Sequence, residues 1–173
     1  MFIPLMAHIE VDDGVHFSMF DALFRIDPQG VIVPNLAAEV PTQANGGISE
    51  DGLNWRIRLR DDVRWHDGEA FTAEDVKFTL ELITKPDFRA WRTTGHALLR
   101  DIAVVSPTEI TWRMERAFAP YLSFLTETFI VPRHILEKEA DPNTAAFNQA
   151  PIGTGAFKWG KRIAGDHLEL VAN

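Results

Sequence analysis

The chain has 173 residues, with 17 Lys plus Arg against 25 Asp plus Glu, a formal net charge of −8 and no cysteine. The acidic excess argues against a general nucleic-acid binder, and the lack of cysteine removes disulfide frameworks, thiol catalysis and cysteine-ligated zinc. With 46% hydrophobic and 10% aromatic residues the chain can bury a core as one domain, or as one domain and part of another, and no apolar run is long enough to span a membrane.

The N-terminal Met1-Phe2-Ile3-Pro4-Leu5-Met6 is apolar but has no basic n-region or small-residue cleavage site, so it does not read as a signal peptide. Asp12-Asp13-Gly14 reads as a turn ahead of the first helix. Apolar residues at 17, 20, 23 and 24 follow helical spacing and predict a short buried helix. Phe24-Arg25-Ile26 and Val31-Ile32-Val33 flank Asp27-Pro28-Gln29-Gly30, a type I turn signature, and predict a hairpin. A Pro-, Thr-, Asn- and Gly-rich loop over 41–49 follows. From Leu53 to Arg60 every odd position is apolar and every even one polar, which predicts a strand with one buried and one basic face.

Asp67-Gly68 marks a turn, and Thr72 is a natural N-cap, with Glu74 and Asp75 in the first turn where the macrodipole favours acid. Ala73, Val76, Leu80 and Ile83 form the inward stripe of that helix, and Pro86 ends it. A second hairpin is expected from 101–105 and 109–114 around Ser106-Pro107-Thr108, then short helices over 119–126 and 132–138. A last strand pair, 157–159 with 167–171, is separated by 160–166. Helices interspersed with antiparallel hairpins give a mixed α and β (α/β) fold class.

No catalytic constellation assembles. The six histidines (8, 16, 66, 96, 134, 167) show no metal-ligand spacing. His66 and Asp67 are adjacent, so they point to opposite faces and do not form an orienting pair; the Trp65–Gly68 stretch is assigned to structure. Ile152-Gly153-Thr154-Gly155 contains G-x-G, but position 158 is Lys where a dinucleotide fingerprint needs Gly. The two glycines suit a close backbone approach, serving either packing or a bound ligand. Trp55 and Trp112 alternate with polar neighbours and are expected in the core. No catalytic residue, metal site or cofactor is expected.

One ordered set of segments carries a resemblance. It runs through the D-x-L-x-R-I-D pattern over 21–27, Leu36 to Val40, Ser49 to Arg60, Val63-Arg64-Trp65-His66-Asp67-Gly68-Glu69-Ala70-Phe71-Thr72-Ala73-Glu74-Asp75-Val76 and Pro151-Ile152-Gly153-Thr154-Gly155-Ala156-Phe157. Together these resemble the extracytoplasmic solute-binding proteins of family 5, the oligopeptide- and dipeptide-binding components of ABC importers, with Ala156 and Phe157 standing where the family usually has Pro and Tyr. The resemblance implies a periplasmic-binding-protein type II-like fold and a non-catalytic protein, periplasmic or extracytoplasmic. Two lobes would close over a peptide or similar small solute and deliver it to a membrane permease. It also implies that 1–34 opens the first large lobe, 35–150 forms an accessory domain and 151–173 returns to the lobe, with a second lobe beyond Asn173, so that the chain alone binds weakly or not at all. Solute contacts are expected at Asp12, Asp13, Gly14 and His16 and at Gly153, Thr154 and Gly155. Nickel chelates, haem and oligosaccharides are alternative ligands within the same fold, and a standalone protein-interaction domain is the alternative outside it.

Overall fold

The computed structural model describes residues 2–7 and 10–173. The first element is helix α1 (Glu10–Met19). This corrects two expectations. Asp12, Asp13 and Gly14 lie inside the helix, with the two aspartates in its first turn, where their charge complements the macrodipole. The helix also stops at Met19, before Phe20, Leu23 and Phe24, which are buried all the same, whereas Phe17 is 65% exposed. Its end is set from a distance: the Gly155 N–H donates to the Met19 carbonyl at 2.8 Å, a partner that local spacing cannot reveal.

The first hairpin forms as expected, from β1 (Phe24–Ile26) and β2 (Ile32–Pro34), antiparallel with Arg25 opposite Val33. The Asp27 carboxylate accepts the Gln29 and Val31 N–H groups and fixes the turn. Strand β3 (Asn54–Arg58) shows the alternation read from sequence, with Trp55, Ile57 and the following Leu59 buried and Asn54, Arg56 and Arg58 exposed.

Strand β3 joins β5 (Glu109–Met114) and β4 (Leu99–Ser106) in an antiparallel sheet of order β3-β5-β4. Trp55 and Trp112 are direct cross-strand partners, stacked at 6.1 Å between ring centroids, and Tyr121 meets both edge-on.

Helix α2 (Ala73–Thr84) crosses this sheet, starting after the Thr72 cap and stopping ahead of Pro86. All four residues of its expected stripe are buried. Ala73, Val76 and Leu80 pack with the sheet in one core, while Leu82 and Ile83 join a second core with Ile3, Leu5, Met6, Met19, Phe20, Phe129 and Val131. The two short helices are shorter than expected, α3 (Tyr121–Phe124) and α4 (Arg133–Leu136), because Pro120 and Pro132 start them and single turns close them. The last pair, β6 (Phe157–Ile163) and β7 (His167–Ala172), is longer than expected. Gly160 continues β6 through a register shift, at a position where a Cβ would lie 2.7 Å from the Glu169 carbonyl oxygen.

Asp75 does more than complement a helix dipole. It is 4% exposed, and its carboxylate accepts the Thr72 N–H at 2.9 Å, the Arg133 N–H at 3.0 Å and the Trp65 Nε1–H at 3.3 Å. Burial pushes its carboxyl above the usual range, and those three donors oppose the rise. The carboxylate thus ties the start of α2 to the Trp65 indole and to α4. Asp75→Asn replaces one acceptor oxygen with a donor and strands buried N–H groups. It is expected to lower unfolding free energy by about 1–3 kcal/mol in urea titration; an unchanged midpoint and slope would refute the assigned role.

Candidate functional site

The expected contact residues lie on α1 or against its C-terminal end. At its C-terminal end the chain returns after some 130 residues and lays the 151–155 segment against the helix backbone. A Cβ added to Gly153 would lie 1.8 Å from the Met19 carbonyl oxygen, and one added to Gly155 would lie 2.6 Å from that of Ser18. Only glycine permits this approach, so the G-x-G spacing is a packing requirement here. At the other end, Asp12 and Asp13 are partly exposed and Gly14 is exposed, roughly 9 Å of helix rise before Met19. His16 lies between the two places and is fully buried, its ring 6.3 Å from those of Phe20 and Phe129. His8 lies outside the described residues.

The crossing is held from three sides. The Thr154 hydroxyl donates to Asp21 Oδ2 at 2.9 Å, while Asn35 Nδ2 donates to Asp21 Oδ1 at 3.0 Å. The Ile130 N–H donates to the Asp21 backbone carbonyl at 3.0 Å. His66 supplies the third side. Its N–H donates to the Gly153 carbonyl at 2.9 Å, its Nδ1 accepts the Gly153 N–H at 3.0 Å and its Nε2 lies 3.0 Å from the Gly155 carbonyl. Asp67, in the same turn, pairs instead with His134 at 2.8 Å. His66 sits in the turn that its sequence context predicts, but its partners lie 87 and 89 residues away, and no local signal marks them.

With both glycine N–H groups committed, Thr154 is the residue of the segment that faces a cavity. That cavity, about 330 Å³, is also lined by Asp21, Asn35, Arg60, Asp62 and Arg64. Arg60 is engaged by Asp62 through two hydrogen bonds, at 2.9 and 2.7 Å. Both charge signs and a hydroxyl therefore meet one concave surface. Such a lining suits a polar, zwitterionic or carboxylate-bearing small molecule. It offers no nucleophile–base pair.

The chain thus has two cores, a return segment that closes on the first helix and a polar cavity beside the crossing. The chain belongs to the bacterial extracellular solute-binding proteins of family 5, whose middle-region model matches residues 31–173. Among relatives, it is 25% identical over 172 residues to the oligopeptide-binding protein AppA of Bacillus subtilis, covering 90% of this chain and 32% of AppA. It is 28% identical over 157 residues to the glutathione-binding protein GsiB of Salmonella typhi, covering 90% of this chain and 29% of GsiB. Among solved structures, NikZ from Campylobacter jejuni in complex with Ni(L-His) superposes with a TM-score of 0.89 at 34% identity, over 99% of this chain and 33% of NikZ. AppA in complex with a nonapeptide gives the same TM-score at 25% identity. The chain thus spans about a third of the length of these relatives, and these folds match the expected type II-like class. No helix among the described residues is long and apolar enough to cross a membrane.

Two alanine substitutions separate packing from permissive glycines. Gly153→Ala is expected to cost about 3 kcal/mol or more, because backbone meets backbone and no side chain can move aside. Gly14→Ala, with nothing within 4 Å of its Cβ position and a helical backbone, is expected to stabilise by about 0.4–1 kcal/mol. Opposite signs in chemical denaturation support the assignment; equal effects would sink it.

Proposed function

We propose that this chain is part of the solute-capturing component of an ABC importer, working outside the cytoplasm and delivering its cargo to a membrane permease. Residues 1–34 and 151–173 would contribute to one large lobe and 35–150 would form an accessory domain, with a further lobe in the full-length protein closing over the solute. Peptide is the leading solute class. The observation that carries this reading is the agreement with the nonapeptide-bound AppA over 99% of the chain at a TM-score of 0.89, and the glutathione-binding relative supports it.

Solute contacts would come from α1, at the partly exposed Asp12 and Asp13 and the exposed Gly14, and from Thr154 in the return segment. Gly153, Gly155 and His16 would act through position, because their donors or ring faces are turned into the fold. A metal–amino acid chelate is the second reading, favoured by the 34% identity to NikZ in complex with Ni(L-His). Both readings involve binding without chemistry on the bound molecule.

The test is titration calorimetry and thermal melting of the full-length protein with glutathione, a nonapeptide and Ni(L-His). A peptide present at about 100 times its Kd should add about 2.7 kcal/mol of stability and raise the melting temperature by several degrees. Binding of the chelate alone would move the assignment to the second reading. Silence with all three probes would overturn both.

A further inference from the structure

His66 contacts the crossing through both ring nitrogens, and the two contacts demand opposite roles. The Gly155 carbonyl can only accept, so Nε2 must carry the proton. The Gly153 N–H can only donate, so Nδ1 must be bare. One protonation state meets both demands, the neutral Nε2–H imidazole. A cationic ring would set an Nδ1–H against the Gly153 N–H and lose that bond.

We propose that His66 is a positioning residue which, as the neutral Nε2–H imidazole, clamps the Gly153–Gly155 crossing onto the end of α1, and that acid releases this clamp. The link to solute binding rests on Thr154 being a solute contact, as proposed above; the clamp itself is measured without any solute. The charged groups around the ring come from three segments: Asp67 on its own turn, Asp21 ahead of β1 and Lys158 on β6. Asp67 is already occupied by His134, and Asp21 by Thr154 and Asn35, so neither carboxylate turns to meet a cationic ring.

Burial holds His66 below the ordinary histidine range, with Lys158 adding to the depression and the Gly155 carbonyl, Asp21 and Asp67 opposing it. A base with a depressed native pKa takes up protons more readily unfolded, so stability rises with pH through this window. The contribution is fully present above about 6.5, the unperturbed value, and is lost as pH falls below it. His96 adds a slope of the same sign. It is buried between the Tyr121 hydroxyl and Thr128 Oγ1 and pushed down to about 4 by burial and by Arg92. A bulk melting curve therefore cannot separate the two, and the measurement must resolve the site.

Nitrogen-15 NMR of histidine-labelled full-length protein does so. The expected result is an Nε2–H tautomer for His66 at neutral pH and a titration midpoint below the ordinary range. Exchange of the Gly153 amide should accelerate on the order of tenfold as the ring protonates, while the Ile57 amide in β3 does not follow. An Nδ1–H tautomer, a cationic ring at neutral pH, or titration that leaves Gly153 exchange unchanged would each overturn the proposal. In His66→Phe the ring is kept and both nitrogens are lost, so Gly153 should exchange fast at every pH; wild-type protection in that variant would also overturn it. If the clamp is observed while solute affinity ignores it, the Thr154 contact falls and the clamp stands.

Discussion

The return of the chain to its first helix depends on one place where backbone lies directly on backbone. The 153–155 segment can touch the end of α1 only because two side chains are missing, with hypothetical Cβ positions 1.8 and 2.6 Å from main-chain oxygens. Side chains can repack around a misfit; main-chain atoms cannot. The contact therefore acts as a fixed point from which other distances follow. It ends α1 by occupying the Met19 carbonyl, and it aligns Thr154 with Asp21. Asp21 in turn receives the Ile130 N–H, so residues near 20, 66, 130 and 154 converge within a few hydrogen bonds.

The two cores explain why such a fixed point is useful. The sheet and the sheet-facing side of α2 bury Trp55, Ile57, Ile110, Trp112 and Met114, while a second cluster gathers Ile3, Met19, Phe20, Phe129 and Phe147. Helix α2 belongs to both, and Ile152, just before the glycines, packs against both. Hydrophobic burial is non-directional and would tolerate sliding between the clusters. The directional bonds of Asp75, Asp21 and His66 remove that freedom. Surface ion pairs such as Arg56–Glu109 and Lys161–Glu169 leave at least one partner half-exposed or more and add little to this.

The parts of the fold that were legible in sequence are those whose cause is local. Strand β3 alternates because one face is wet. The β1–β2 turn is written in Asp27, Pro28 and Gly30, and α2 carries its own cap, stripe and terminator. Helix α1 departs from its expected span for reasons that are not local. Gly14 interrupts its pattern, His16 is the buried residue where Phe17 would be expected, and its end is set by a glycine 136 residues later. The candidate site divides in the same way. The spacing of Gly153 and Gly155 announces a close approach, but not what is approached, and His66 reads as a turn residue until its two distant partners are seen.

That division narrows what a solute can meet. A glycine pair beside a polar cavity invites the idea of backbone N–H groups cradling a ligand, yet the Gly153 N–H is spent on His66 Nδ1 and the Gly155 N–H on the Met19 carbonyl. Turning either toward a solute would leave a buried acceptor bare, at a cost comparable to the bond gained. The segment can therefore contribute the Thr154 hydroxyl, whose proton goes to Asp21 and whose lone pairs remain to accept. A contact through a hydroxyl held by a carboxylate favours a donor on the solute, such as an amide or ammonium group. The peptide proposed as cargo carries both kinds of group.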